Sequence, residues 1–100
     1  MKRGTTPLIT INTDQDLTGY EYIVFTMEDR VGNEVNVDNG SDAMQVNPDS
    51  VVVRLSQDQT LSMTKGGVKM QVRARDSSGY AIASNIMTAN MEDILRDGVI

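Results

Sequence analysis

The chain has 100 residues and a formal net charge of −5, and it contains neither cysteine nor histidine. Without these residue types it cannot build thiolate catalysis, a cysteine- or histidine-based zinc site or a Ser-His-Asp triad. The acidic balance argues against nucleic-acid binding, and no apolar run approaches the roughly 18–20 residues of a membrane span. We therefore expect one domain, residues 1–100, that is not an enzyme, needs no cofactor and binds neither nucleic acid nor a membrane.

Short segments of alternating apolar and polar residues, separated by turn residues, dominate the first half of the chain. This two-residue period is typical of half-buried strands. It predicts strands at Leu8–Ile11, Tyr20–Met27, Glu34–Val37, Ala43–Val46 and Val51–Leu55. The stretches Gly32-Asn33, Asp38-Asn39-Gly40 and Asn47-Pro48-Asp49-Ser50 are turn signals between these strands.

The second half begins with a break in the strand rhythm. Ser56, with Gln59 three residues later, resembles a capping box and predicts one helical turn over Gln57–Leu61, with Leu61 pointing inward. Val68–Asp76 is the clearest strand of the chain. Its alternation predicts an inward row of Val68, Met70, Val72 and Ala74 and an outward row of Lys69, Gln71, Arg73 and Arg75.

The end of the chain predicts one more strand and a short helix. Tyr80–Ala89 is expected to be a long last strand, with Tyr80, Ile82, Ser84, Ile86 and Thr88 on one side. Met91, Ile94 and Leu95 have helical spacing, and Gly98 is a suitable residue to end a short helix. About seven antiparallel strands with frequent turns and a short helical turn favour a small immunoglobulin-like β-sandwich, an all-β fold.

Two loops carry acidic residues but lack a complete metal-binding motif. Asn12–Asp16 places oxygen-bearing side chains at alternate positions, as calcium loops do. An EF-hand loop that began at Asn12 would need Gly where Leu17 stands and Glu where Ile23 stands. The loop Asn36–Asp42 is equally incomplete, so we expect two solvated loops and no bound metal.

Two sets of residues are candidates for contact with a protein partner. The outward row of Lys69, Arg73 and Arg75 is either such a contact or a solvated face that discourages pairing between sheet edges. The aliphatic residues Ile94, Leu95, Val99 and Ile100 either fold back on their own core or cover a neighbouring subunit. No apolar residue lies between Met1 and Leu8, so nothing obvious pins the N-terminal arm. We expect self-association or assembly onto a larger subunit, with the two ends at the contact.

Several stretches resemble a known group of proteins. Lys2–Pro7 and Asp93–Ile100 are similar to small proteins encoded among the tail genes of tailed phages and prophages. Between them, the layout resembles the immunoglobulin-like N-terminal domain of phage baseplate upper proteins; the stretches are Leu55-Ser56-Gln57 with Thr60-Leu61, Val72–Asp76 and Ala83–Ile86. The resemblance transfers no functional residue. It implies a structural protein of the virion, in the tail, baseplate or capsid surface, made in the host cytoplasm and in contact with other phage structural proteins.

Two other functional classes stand beside this expectation. A short acidic chain also suits a small phage-encoded binder or inhibitor of a host or defence protein. An enzyme, such as a hydrolase, is disfavoured by the missing histidine and cysteine. Association with purified virions at a fixed stoichiometry would separate the structural protein from the binder.

Overall fold

Eight strands and one short helix make up the chain, and the computed structural model describes all residues from 1 to 100. The elements are β1 (Leu8–Asn12), β2 (Tyr22–Asp29), β3 (Glu34–Asp38), β4 (Met44–Val46), β5 (Ser50–Arg54), α1 (Gln57–Leu61), β6 (Gly66–Arg75), β7 (Ala81–Ala83) and β8 (Met87–Met91). None of its helical structure is long and apolar enough to cross a bilayer.

The strands form two antiparallel sheets. One sheet has the order β1-β5-β4, and the other has the order β3-β2-β6-β7, with β8 also paired to β6. This all-β sandwich confirms the predicted fold class. The order corresponds to strands B-E-D in one immunoglobulin sheet and C′-C-F-G in the other. No strand occupies the position of immunoglobulin strand A, so the outer edge of β1 has no neighbouring strand.

The core lies between the two sheets and is built from alternate residues of each strand. The predicted inward row of β6 is confirmed, because Val68, Met70, Val72 and Ala74 are all buried. The opposite row of β2 pairs with it in register, and Phe25 lies directly across from Val72. From the other sheet the core receives Ile9, Ile11, Val51 and Val53. Successive side chains of a strand point to opposite faces, so the sequence alternation places these residues together.

The predicted helical turn and its capping box are both confirmed. The Ser56 hydroxyl accepts a hydrogen bond from the Gln59 N–H at 3.1 Å, and the Gln59 side chain accepts one from the Ser56 N–H at 2.8 Å. Thr60, more than Leu61, is the inward residue of this turn: it is fully buried and donates its hydroxyl proton to the Thr5 carbonyl at 2.8 Å.

The prediction of one continuous strand over Tyr80–Ala89 is wrong, because a β-bulge divides it into β7 and β8. The register pairs Arg73 with Ala83 and Met70 with Met87. Two residues of β6 therefore face three residues, Ser84–Ile86, and the extra residue reverses the inward and outward sides. Before the bulge Ile82 packs against the core, and after it Ala89 and Met91 do so. Ile86 and Thr88, predicted to share a side with Ile82, are exposed instead.

The Ser84 side chain stabilises this bulge. Its hydroxyl oxygen accepts the Val72 N–H at 3.0 Å, in the place where a strand would offer a carbonyl. The Ser84 N–H donates to the Val72 carbonyl at 2.8 Å, and the Gln71 side-chain amide donates to the Ser84 carbonyl at 2.9 Å. The polar groups freed by the interrupted ladder are thus satisfied locally.

The closing helix predicted from Met91, Ile94 and Leu95 is also wrong. Met91 is the last residue of β8, and the residues after it form an irregular segment with bends. The Asp93 carboxylate accepts the Ile94 N–H at 2.9 Å, which is a local bond that competes with helix formation. The helical spacing of the three apolar residues is therefore not used.

Candidate functional site

The C-terminal segment, Asp93–Ile100, is held on its own domain by the side chain of Arg3. The guanidinium donates from Nη1 to Asp93 at 2.8 Å and to Asp97 at 2.9 Å. The same group donates to the carbonyls of Met63 and Leu61 at 2.8 and 3.0 Å. Hydrogen bonding to Asp93 is the main reason that the pKa of Arg3 is raised. The pKa of Asp93 is lowered, first by the Ile94 N–H and then by Arg3. These matched shifts describe a charge-assisted anchor.

The N-terminal arm is fixed as well, so the prediction that nothing pins it is wrong. Lys2 forms a parallel bridge with Glu92, next to the end of β8. The Arg3 N–H donates to the Glu92 carbonyl at 3.0 Å, and the Glu92 N–H donates to the Met1 carbonyl at 2.7 Å. Met1 packs against the core. Backbone hydrogen bonds and the Arg3 guanidinium hold this arm. The prediction considered only apolar residues, so it missed both kinds of contact.

Gln57, on α1, provides a second anchor for the C-terminal segment. Its side-chain carbonyl accepts the Ile100 N–H at 2.8 Å, and its amide group donates to the Ile100 carbonyl at 3.2 Å. The side-chain amide thus pairs with the backbone as a neighbouring strand would. Between the anchors, Ile94 packs over Gly4, where a β-carbon would lie 2.9 Å from the Ile94 Cδ1. Gly4 also has a φ of +72°, which favours glycine at this position.

Although its backbone is anchored, the C-terminal segment presents aliphatic side chains to solvent. Leu95 has a relative exposure of 109%, Ile100 of 91% and Val99 of 57%. Leu95 and Ile100 are the two most exposed large apolar residues of the chain. Of the four aliphatic candidates, Ile94 is therefore half-buried and the other three lie in solvent. We call Leu95, Val99 and Ile100 the aliphatic patch.

The outward row of β6 lies on the exposed face of the five-stranded sheet, and two of its three cationic candidates have acidic neighbours. Lys69 is paired in register with Glu28. Arg75 lies 3.7 Å from Glu21 and stacks over the Tyr22 ring at 5.7 Å from its centroid. Arg73 has no ion pair. Because two of the three cations lie beside acidic residues in β2 or immediately before it, this row fits a solvated face better than a site for an anionic partner.

The acidic loops use their carboxylates to cap their own turns. Asp16 accepts hydrogen bonds from the Thr18 hydroxyl at 2.7 Å and from its N–H at 2.9 Å, and the pKa of Asp16 is lowered, mainly by that hydroxyl. Asp38 accepts the Gly40 N–H at 2.9 Å. No group of three or more acidic side chains is placed to hold a metal ion.

Asp29 is a buried carboxylate that the sequence analysis did not single out. It ends β2, is 4% exposed, and accepts hydrogen bonds from the N–H groups of Val31, Asn33 and Thr64 and from the Asn33 side chain, at 2.8–3.1 Å. Burial opposes ionisation, but these four donors outweigh it and hold the pKa of Asp29 far below its ordinary value. All four donors belong to the protein, so Asp29 stabilises two turns. An aspartate shortly before Gly32-Asn33 was the available signal.

A cleft opens on the flank of the sandwich where strand A is missing. It has a volume of about 450 Å³ and lies between the end of β1 with the loop that follows it, and the bulge between β7 and β8. Its lining includes the buried residues Ile11, Leu17, Val72 and Ala74, and the half-buried Ile82. Thr13 also lines it, and the Thr13 hydroxyl is the only buried side-chain polar atom without a hydrogen-bond partner. The sequence did not predict this cleft, because its walls come from distant segments.

Comparison of the chain with protein-family models, with curated proteins and with solved structures finds no match.

Proposed function

We propose that this protein is a structural protein of a tailed-phage particle, in the tail, baseplate or capsid surface, and that it acts through protein–protein contacts and not through catalysis. The observation that carries the proposal is the aliphatic patch on an anchored segment. Two charge-assisted bonds and a paired side-chain amide fix the backbone of that segment, which reduces the entropy lost when a partner binds. The resemblance to phage tail-region proteins supplies the biological setting.

The size of the patch fits a contact that is repeated within an assembly. Burying the three aliphatic side chains of the patch contributes at most about 4.5–9 kcal/mol. Bringing two molecules together costs an estimated 4–15 kcal/mol in lost translational and rotational freedom. A single contact through the patch is therefore expected to be weak, and several contacts within a symmetric particle would strengthen one another.

The proposal is tested first by a mass-spectrometric inventory of purified particles of the encoding phage. We expect the protein at a fixed copy number relative to the other virion proteins. Its absence from particles, with recovery in infected-cell lysate bound to a host protein, would contradict the proposal and favour the binder.

A second experiment tests the patch itself. Static light scattering over a range of concentrations should give a mass above the 11.0 kDa of the monomer for the parent protein, and Leu95→Asp should shift this rise to higher concentration. Val31→Asp is the matched control, because Val31 is also an exposed aliphatic residue, at 60%, but lies in the turn after β2. Equal effects of the two substitutions would exclude the patch as the contact.

A further inference from the structure

We propose that the aliphatic patch of one copy binds in the cleft beside β1 of a second copy. This inference rests on the proposed function, because it assumes that the protein acts through protein contacts, and it specifies the partner and the receiving surface. It joins two apolar features that the fold leaves without a partner: an anchored segment with exposed aliphatic side chains, and the open cleft toward the other end of β6.

The receiving side is a strand edge with unused backbone groups. The Leu55 N–H donates to the Pro7 carbonyl at 3.1 Å, and the Thr13 N–H donates to the Asp49 carbonyl at 2.9 Å. Because hydrogen-bonded pairs alternate along an antiparallel ladder, these bonds direct the backbone groups of Leu8, Thr10 and Asn12 away from β5. An extended segment lying beside β1 would satisfy them, as added strands do at other sheet edges.

The interior of the cleft is suited to aliphatic side chains with polar groups around them. Its floor is formed by core residues of both sheets, including Ile11, Val72 and Ile82. The exposed Asn12 and Asn85 lie at its rim. A volume of about 450 Å³ accommodates a few aliphatic side chains but is small for a folded element.

Charge complementarity favours a second copy as the occupant. Arg96 lies next to Leu95 in the C-terminal segment, is exposed, and makes no ion pair or hydrogen bond. Asp14 lines the cleft, is exposed, and has no ion pair either. Arg96 of one copy can therefore pair with Asp14 at the rim of the cleft of a second copy.

The segment cannot fill the cleft of its own chain while it is anchored. It follows Met91, which is paired with Gly66 at the start of β6, and Ile100 is bonded to Gln57 on α1. The cleft lies toward the other end of β6, near Ala74, which is paired with Ile82. The cleft-lining residues Val72 and Ala74 lie six and eight positions along β6 from Gly66, about 20–26 Å at the rise of a strand, so the two features are far apart. The contact is therefore between copies, and it joins two different surfaces in a head-to-tail manner that builds rings or filaments.

Site-directed cross-linking tests the geometry, and the absence of native cysteine makes it clean. Val99→Cys protein is mixed with Asn85→Cys protein under mild oxidation, and circular dichroism verifies that both variants are folded. We expect a cross-linked dimer at about ten times the yield obtained when Val99→Cys is mixed with Asn36→Cys on the outer face of β3. Equal yields, or a Val99→Cys protein that cross-links mainly with itself, would overturn the head-to-tail contact.

A charge exchange provides a second, independent readout. Arg96→Glu and Asp14→Lys should each weaken self-association by up to about fivefold, the value of an exposed ion pair, and the double variant should recover it. If the double variant loses as much self-association free energy as the two single variants together, the proposed Arg96–Asp14 pairing is wrong. If the parent protein self-associates or enters particles while both tests fail, the cleft is not the receiving surface but the proposed function stands. A parent protein that is monomeric and absent from particles would contradict both.

Discussion

Replacing Asp29 with asparagine tests whether one buried carboxylate stabilises the two turns beside it. Each carboxylate oxygen accepts two hydrogen bonds: Oδ1 from the N–H groups of Val31 and Asn33, and Oδ2 from the Asn33 side chain and the Thr64 N–H. In Asp29→Asn, the new amide group replaces one oxygen in either orientation and faces two donors. Two bonds to a charged acceptor are lost, at about 1.5–3 kcal/mol each. We expect a loss of at least about 3 kcal/mol.

Urea denaturation at neutral pH measures this loss, and thermal denaturation checks it. For a domain of this size, about 3 kcal/mol corresponds to a fall in Tm of roughly 12–24 °C. Asp42→Asn is the matched control, because Asp42 is exposed, makes no hydrogen bond and undergoes the same chemical change. An Asp29→Asn protein within about 0.5 kcal/mol of the parent would refute the argument.

The pH dependence of stability, compared between the parent protein and Asp29→Asn, gives a second check. The folded pKa of Asp29 lies below its unfolded value, about 3.9, so the unfolded chain takes up the proton first as the pH falls. The contribution of the Asp29 carboxylate is therefore complete at neutral pH and decreases as the pH falls below about 4. The stability gap between the parent protein and Asp29→Asn should narrow over that range. A gap that stays constant down to pH 2 would contradict the role of ionisation.

Three further predictions concern the core, the bulge and the acidic loops. Val72→Asp should cost several kcal/mol, since it buries an unpaired charge opposite Phe25, whereas Arg73→Asp on the outward face should cost far less; equal melting temperatures would refute the register. Ser84→Ala should cost about 1–3 kcal/mol in urea denaturation, because the Val72 N–H loses its acceptor; no change would mean that the hydroxyl does not stabilise the bulge. Addition of a chelator should leave the melting curve unchanged, and a large downward shift would indicate a metal in the Asn12–Asp16 or Asn36–Asp42 loop.

Much of the fold was predictable because its cause is local. The alternation along β6 assigns an inward row, and the mirrored alternation along β2 supplies the row that packs with it. Turn residues at Gly32-Asn33 and Asn47–Ser50 divide the strands, and the capping box between Ser56 and Gln59 closes within four residues. Interactions between residues this close in the chain depend mainly on local residue order, so they can be predicted from the sequence.

The β-bulge between β7 and β8 could not be predicted from local alternation. Ser84–Ile86 continue an acceptable alternation, and nothing local shows that they are opposed by only two residues of β6. Which side chains of a strand face the core depends on how many residues of the neighbouring strand lie opposite each segment. That number depends on both strands and cannot be read from one of them. The prediction therefore assigned the wrong side to Ile86 and Thr88.

The candidate site depended on tertiary structure almost completely. The sequence identified the aliphatic residues of the C-terminal segment, but not which of them is covered. Arg3 reaches Asp97 across 94 positions, and Gln57 reaches Ile100 across 43. The cleft exists because the folded chain places the free edge of β1 opposite the bulge between β7 and β8. Composition and periodicity determined which side chains were available for burial, whereas pairings between distant segments decided which ones were left in solvent, since only the folded chain brings those segments into contact.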